Sequence, residues 1–167
     1  DNVVMRINDG LMAFPTILLA IAVAAALGPN VKNTIISLVV VFVPRTSRVV
    51  RSAALEIKQM AYIEAAKALG AKSGRIILKH IGPNIVSPLI VQTSYNFAIA
   101  IVCEAMLSFL GAGVPAPHPS LGNILYDGKT VITIAWWNTV FPGITFALVV
   151  LGMNLFGDGL RDFLDPN

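Results

Sequence analysis

The sequence holds a single cysteine, Cys103, and only two histidines, His80 and His118, in 167 residues. One cysteine excludes a disulfide framework within the chain, and its place inside an apolar run reads as a small buried hydrophobe. In a four-span topology the two histidines lie on opposite faces of the membrane, so no metal constellation is written here. Charge is scarce as well: 13% of residues are charged, against about 25% in soluble domains. Apolar residues make up 56% of the chain and the mean hydropathy is +0.76, a balance that excludes an ordinary soluble domain. Also missing are a Gly-x-x-x-x-Gly-Lys phosphate loop, a Gly-x-Ser-x-Gly elbow and a His-Glu-x-x-His pair. Gly157-Asp158-Gly159 offers one acid at the end of an apolar run, with no partner Asp inside another run. It reads as a helix end, and the chain is expected not to be an enzyme.

What is present comes in blocks. Residues 11–27 carry no charge over 17 positions, 84–103 none over 20 and 130–157 none over 28. A membrane span needs about 20 apolar residues at about 1.5 Å rise, so these blocks predict crossing helices. The expected fold class is all-α, a polytopic transmembrane helical bundle. Four spans are drawn, near residues 10–27, 31–51, 83–110 and 138–157. The first has Pro15 near its start and stops at Gly28-Pro29-Asn30. The second is apolar only as far as Val43. It is expected to continue past Pro44 as a kinked helix whose Arg45, Arg48 and Arg51 snorkel or face protein.

Charge sets the expected orientation. With alternating sides, one side collects Arg6, Arg45, Arg48, Arg51, Lys58, Lys67, Lys72, Arg75, Lys79 and Arg161; the other holds Lys32 and Lys129. Ten against two places both chain ends and the central loop, residues 52–82, on the cytoplasmic side. The same asymmetry accounts for the net charge of +3 without nucleic acid. The loop reads as helix over residues 52–69, a break at Gly70, then a short helix capped by Ser73 through Lys79. Gly82-Pro83-Asn84 is expected to turn the chain back into the membrane. The external loop, 111–137, contains the stiff run Val114-Pro115-Ala116-Pro117-His118-Pro119, and Tyr126, Trp136 and Trp137 fit an interfacial belt. Glu104 is the one acid inside an apolar helix. Burying a charge there is costly, which makes it a candidate pathway or gating residue, with a hydrogen bond to a neighbouring helix as the alternative.

Several stretches carry a family resemblance. They are Glu64-Ala65-Ala66 with Gly70, Arg48-Val49-Val50-Arg51, His80-Ile81 before Pro83-Asn84, and Glu104-Ala105-x-Leu107-Ser108-Phe109-Leu110-Gly111. Ala135-Trp136-Trp137, Phe141-Pro142-Gly143 and Asn154-Leu155-x-Gly157-Asp158-Gly159-Leu160-Arg161-Asp162 follow, with Met5-Arg6, Ala13-Phe14-Pro15 and Leu27-Gly28-Pro29 upstream. Together they resemble the inner-membrane permease subunits of dipeptide, oligopeptide and nickel importers of the ATP-binding-cassette class. One departure is Gly82, where that family usually has Leu before the proline.

The resemblance implies a type I importer permease core whose Glu-Ala-Ala loop is a cytoplasmic coupling helix-turn-helix. Glu64 would contact a separate ATPase, Ala65 and Ala66 would allow close approach, and Gly70 would form the turn. The implied partners are ATPase subunits, a second permease subunit, usually making a heterodimer, and an external substrate-binding protein. No cofactor is implied in this chain, since ATP is used by the partner. The implied place is the bacterial or archaeal plasma membrane, and the cargo a peptide or similar small solute. Permeases of this subgroup normally have six spans. Because the chain opens Asp1-Asn2-Val3 without an initiator Met, the missing pair is expected upstream. A non-transporting scaffold, a passive channel with a polar stripe from Gln92, Thr93, Ser94 and Asn96, and an inactive truncated permease are the competing expectations.

Overall fold

The computed structural model describes residues 2–164; Asp1, named in the sequence reading, lies outside them. Regular structure among the described residues is helical throughout. The chain opens with α1 (Asn2–Met12) and α2 (Thr16–Leu27), which meet at 97°. The bend has a local cause: Pro15 has no N–H to donate and pushes Phe14 out of the helical region. The span expected over 10–27 is therefore divided, and α2 alone, at 12 residues and about 18 Å, is shorter than a hydrocarbon core.

Gly28, at φ +84°, ends α2, and the Asn33 side chain donates to Leu27 O at 2.7 Å and Gly28 O at 3.1 Å. This closes a hairpin into α3 (Val31–Lys58), whose cap is Asn30, its Oδ1 accepting from Lys32 N at 2.9 Å. α3 runs through Pro44 without ending, and Thr46 donates its hydroxyl to Phe42 O at 3.0 Å beside the proline.

The central loop differs from its sequence reading in two ways. The helix expected over 52–69 breaks at Gln59-Met60, so that α4 (Ala61–Ala68) is separate from α3. Ser73 does not cap the next helix: α5 (Ser73–Ile76) begins at Lys72 with no side-chain cap and passes into a π-helical turn (Ile77–Ile81) and α6 (Gly82–Phe109). Gly82-Pro83-Asn84 thus lies inside a continuous helical rod. The π turn answers a hydrogen-bonding problem. Pro83 supplies no donor to the preceding turn, and the Asn84 side chain donates to His80 O at 2.6 Å. A Cβ on Gly82 would come within 3.1 Å of Ile77 O, so the bare glycine lets the wider turn close.

α6 ends at Gly111, φ +78°, with Ala112 N–H donating to Leu107 O and Gly111 N–H to Ser108 O, a left-handed cap. The segment expected as an external loop contains α7 (Leu121–Thr130), whose Ser120 Oγ accepts from Asn123 N at 3.1 Å. α8 (Trp137–Leu164) follows. α7 docks through glycines: a Cβ on Gly122 would collide with the Ala105 backbone and Ser108, and one on Gly128 with Asn138 and Thr139. The ring of Phe109 takes Tyr126 edge-on at 6.0 Å and Lys129 Nζ at 5.2 Å, which fixes the remaining face of α7.

α6 is the central element, packed against α3 on one side and α8 on the other, with α7 between α6 and α8. Among the described residues, three helices are long and apolar enough to cross a membrane, or four if the bent α1–α2 pair counts as one span. Their apolar faces are largely exposed, as expected of a surface that meets lipid or partner helices. One core joins Ala20 and Ala24 of α2, Val41 of α3 and Leu107 of α6. A second, of Ile57, Ile63 and Ile76, lies under α4.

Candidate functional site

The helix that carries Glu64 is built on a buried anchor. Ile63 is fully buried, packed with Ile57 of α3 and Ile76 of α5, and bordered by Ala71, Ile81 and Ile85. These contacts mount α4 on the ends of two long helices at once. Burying an isoleucine stabilises by about 2 kcal/mol, a large term for an eight-residue helix that could not stand alone.

The opposite face of α4 is open. Glu64 and Ala65 are exposed and Ala66 is half-buried, flanked by exposed Met60, Tyr62 and Leu69. Glu64 stands in the first turn, where the helix dipole favours a carboxylate, and it makes no ion pair with another described residue. Gly70, at φ +79°, stops the helix in a Schellman turn: Gly70 N–H donates to Lys67 O at 2.9 Å and Ala71 N–H to Ala66 O at 3.0 Å. Tyr62 rests against His80 of the π turn, ring centroids 6.2 Å apart. Glu64, Ala65, Ala66 and Gly70 are thus brought together on one short exposed helix and its cap, held by a core at its back.

Glu104 is not in that site. It is half-buried near the other end of α6, and its Oε1 accepts from Ser108 Oγ at 2.6 Å. Ser108 Oγ in turn accepts from Val114 N at 3.1 Å. The partner is therefore in the same helix, one turn on, and the chain of bonds runs to the α6–α7 connection rather than to a neighbouring span. Gly113 belongs to the same knot, since a Cβ there would collide with Ser108.

The polar residues of α6 divide between its neighbours. Thr93 and Ser94 donate to Leu89 O and Ile90 O of their own helix. Gln92 Nε2 donates to Asn96 Oδ1 at 2.8 Å, and Asn96 Nδ2 to Thr46 Oγ1 of α3 at 2.8 Å. On the α8 side, Gln92, Ser94 and Tyr95 face Asn154, Asp158 and Arg161 across a cleft of about 220 Å³. Sequence reasoning missed three features: the Ile63 anchor, the Asn96–Thr46 bridge and the glycine-docked α7. An isoleucine inside a polar loop, and glycines at positions 122 and 128 in an otherwise helical run, were the available signals.

Known proteins agree with this architecture. The model of the family described as binding-protein-dependent transport system inner membrane component matches residues 1–167. A peptide transport system permease protein of Brucella suis biovar 1 is 49% identical over 166 residues, covering 99% of this chain and 56% of that protein. The dipeptide transport system permease protein of Alkalihalophilus pseudofirmus is also 49% identical, over 99% of this chain and 55% of its own length. A glutathione transport system permease protein of Pectobacterium atrosepticum is 42% identical with the same coverage. The chain spans about half the length of these relatives. Among solved structures, the MetNI methionine ABC transporter in an inward facing conformation matches with TM-score 0.74 at 22% identity, over 98% of this chain and 75% of that one. At that identity the likeness concerns the fold, which is the multi-pass helical fold of an ABC importer permease. With its full length matched by the family model, the chain belongs to the binding-protein-dependent transport system inner membrane components.

Proposed function

We propose that this chain is the coupling and pathway-forming part of a permease subunit in an ATP-driven importer of peptides or similar small solutes. The observation that carries the reading is α4: a small-residue surface helix, open on one face and pinned by Ile63 to α3 and α5 on the other. A helix held this way passes a push on its outer face into α3 and into the α5–α6 rod. Glu64 would form the polar contact with the ATPase, Ala65 and Ala66 would admit close approach, and Gly70 would set the turn. ATP would be bound by that partner, and no cofactor is assigned to this chain. A second permease subunit, as a heterodimer, and an external binding protein complete the proposed assembly.

The charge asymmetry supports placing the α4 end, and both chain ends, in the cytoplasm of a bacterial or archaeal cell. ATP-driven movement of α4 would then shift the long helices between inward- and outward-facing states. For Glu104 the proposed gating part is exercised through the loop it orders, by way of Ser108 and Val114. The test is a crosslink in native membranes, with Cys103→Ser and Ala65→Cys in the full-length permease. Capture of a phosphate-loop ATPase, with a yield that changes on adding ATP, is the expected result. A correctly inserted protein that captures none would remove the coupling role.

A further inference from the structure

Two arginines on successive turns of α3 reach across the α1–α2 bend. Arg45 Nη2 donates to Thr16 Oγ1, the first residue of α2, at 3.0 Å. Arg48 Nη2 pairs with Asp9 Oδ1 of α1 at 2.6 Å. The bend between them, residues 13–15, lies outside both helices, which meet there at 97°. At the bend, Ala13 N–H donates to Asp9 O and Gly10 O and Phe14 N–H to Leu11 O, back into α1, while Pro15 O accepts from Leu19 N–H of α2 at 3.0 Å. Both arms of the elbow are therefore fixed to α3 by separate guanidinium groups.

We infer that Arg45 and Arg48 are positioning residues that lock the α1–α2 elbow onto α3, so that elbow and coupling loop move as one body. The inference rests on the coupling role proposed for α4 and extends it to the elbow of α1 and α2. α3 is the shared element: its far end supplies Ile57 to the core beneath α4, nine residues beyond Arg48. Arg48 lies 17 residues from Val31, about 26 Å along the helix, close to the edge of a hydrocarbon core of about 30 Å. At that boundary the dielectric is well below that of bulk water, so a charged pair holds more firmly than its half-exposed side chains would in solution. Two fixings at different points of the elbow also set its angle, which neither would alone.

The experiment uses the full-length permease assembled with its partner permease, ATPases and binding protein in proteoliposomes. Peptide uptake and ATP hydrolysis are measured together for Arg48→Gln, Asp9→Asn, the exchanged pair Asp9→Arg with Arg48→Asp, and Thr16→Val. A lock predicts that the single charge variants use up to about fivefold more ATP per peptide imported, the upper size expected for one lost half-exposed ion pair. The exchanged pair should return the ratio towards wild type. Thr16→Val, which keeps side-chain shape and charge, should give a smaller shift in the same direction. An unchanged ratio with less assembled complex would reduce the arginines to a structural role and overturn the inference, as would single-variant defects that the exchange leaves in place.

A second readout is independent of transport. Spin labels at Ile7→Cys and Leu55→Cys, in a Cys103→Ser background, report the distance from α1 to the coupling end of α3. Both sites are exposed. The distribution should be narrow in the parent and broaden with Arg48→Gln; equal widths would overturn the lock. If the parent complex shows no ATP-dependent uptake, the coupling role fails, and the spin-label widths still decide whether the elbow is held.

Discussion

Ile63 and Gly122 show how single positions set the placement of whole helices. Ile63→Ala would leave a cavity where Ile57 and Ile76 now meet it, and a loss of about 2–5 kcal/mol is expected for such a truncation. Because the loss is local, hydrogen exchange should rise across residues 59–72 while the long helices stay protected. Equal protection in both proteins would show that α4 does not depend on its anchor. Glycine substitutions should divide by surroundings. Gly122→Ala places a methyl into the Ala105 backbone and should lower the thermal midpoint in detergent, whereas Gly152, with nothing within 4 Å, should tolerate alanine. There the better helix propensity is worth up to about 1 kcal/mol. A similar fall at both sites would mean that α7 does not dock through Gly122.

At the scale of elements, the sequence showed the long helices and much less of how they begin and join. Runs such as 130–157 are legible because continuous apolarity has one common explanation at that length. The continuation of α3 through Pro44 was legible too, since the apolar stretch before it was too short to cross. Joints are harder, because they depend on contacts between distant residues. Nothing local distinguishes Gly82-Pro83 at a turn from the same pair inside a rod; the π geometry and the Asn84–His80 bond decide it. The four motif residues of the loop could be picked out as a group, but their seat on Ile63 needed three elements in space. Glu104 was legible as unusual, and its Ser108 partner lay one helical turn away, where an i, i+4 reading could have found it. The π turn makes its own prediction. Gly82→Leu would press Cβ against Ile77 O, so the turn should relax and move His80 away from Tyr62. Crosslinking between Tyr62→Cys and His80→Cys with a short thiol reagent should then fall; an unchanged yield would show that the turn does not need the glycine.

The whole molecule is organised as two helical groups, α1–α3 and α6–α8, linked in sequence by the loop that carries α4. They touch at three levels. At the loop end Ile57, Ile63 and Ile76 close the joint; at the far end Leu107 of α6 enters the cluster of Ala20, Ala24 and Val41. Between these levels Asn96 and Thr46 form a polar join, extended along α6 by Gln92. Apolar contacts tolerate sliding, since one methyl replaces another at little cost, but a hydrogen bond between spans has one register. Asn96–Thr46 is therefore expected to fix the relative height of the two groups. Thr46→Val and Asn96→Leu, alone and together, should show a coupling energy of about 0.6 kcal/mol, reaching at most about 1.7 kcal/mol, as measured for hydrogen bonds between membrane helices. Reversible unfolding in mixed micelles would supply the four values. A coupling energy of zero would mean that the apolar contacts at the two ends set the register, and that the groups are free to slide past one another at mid-height.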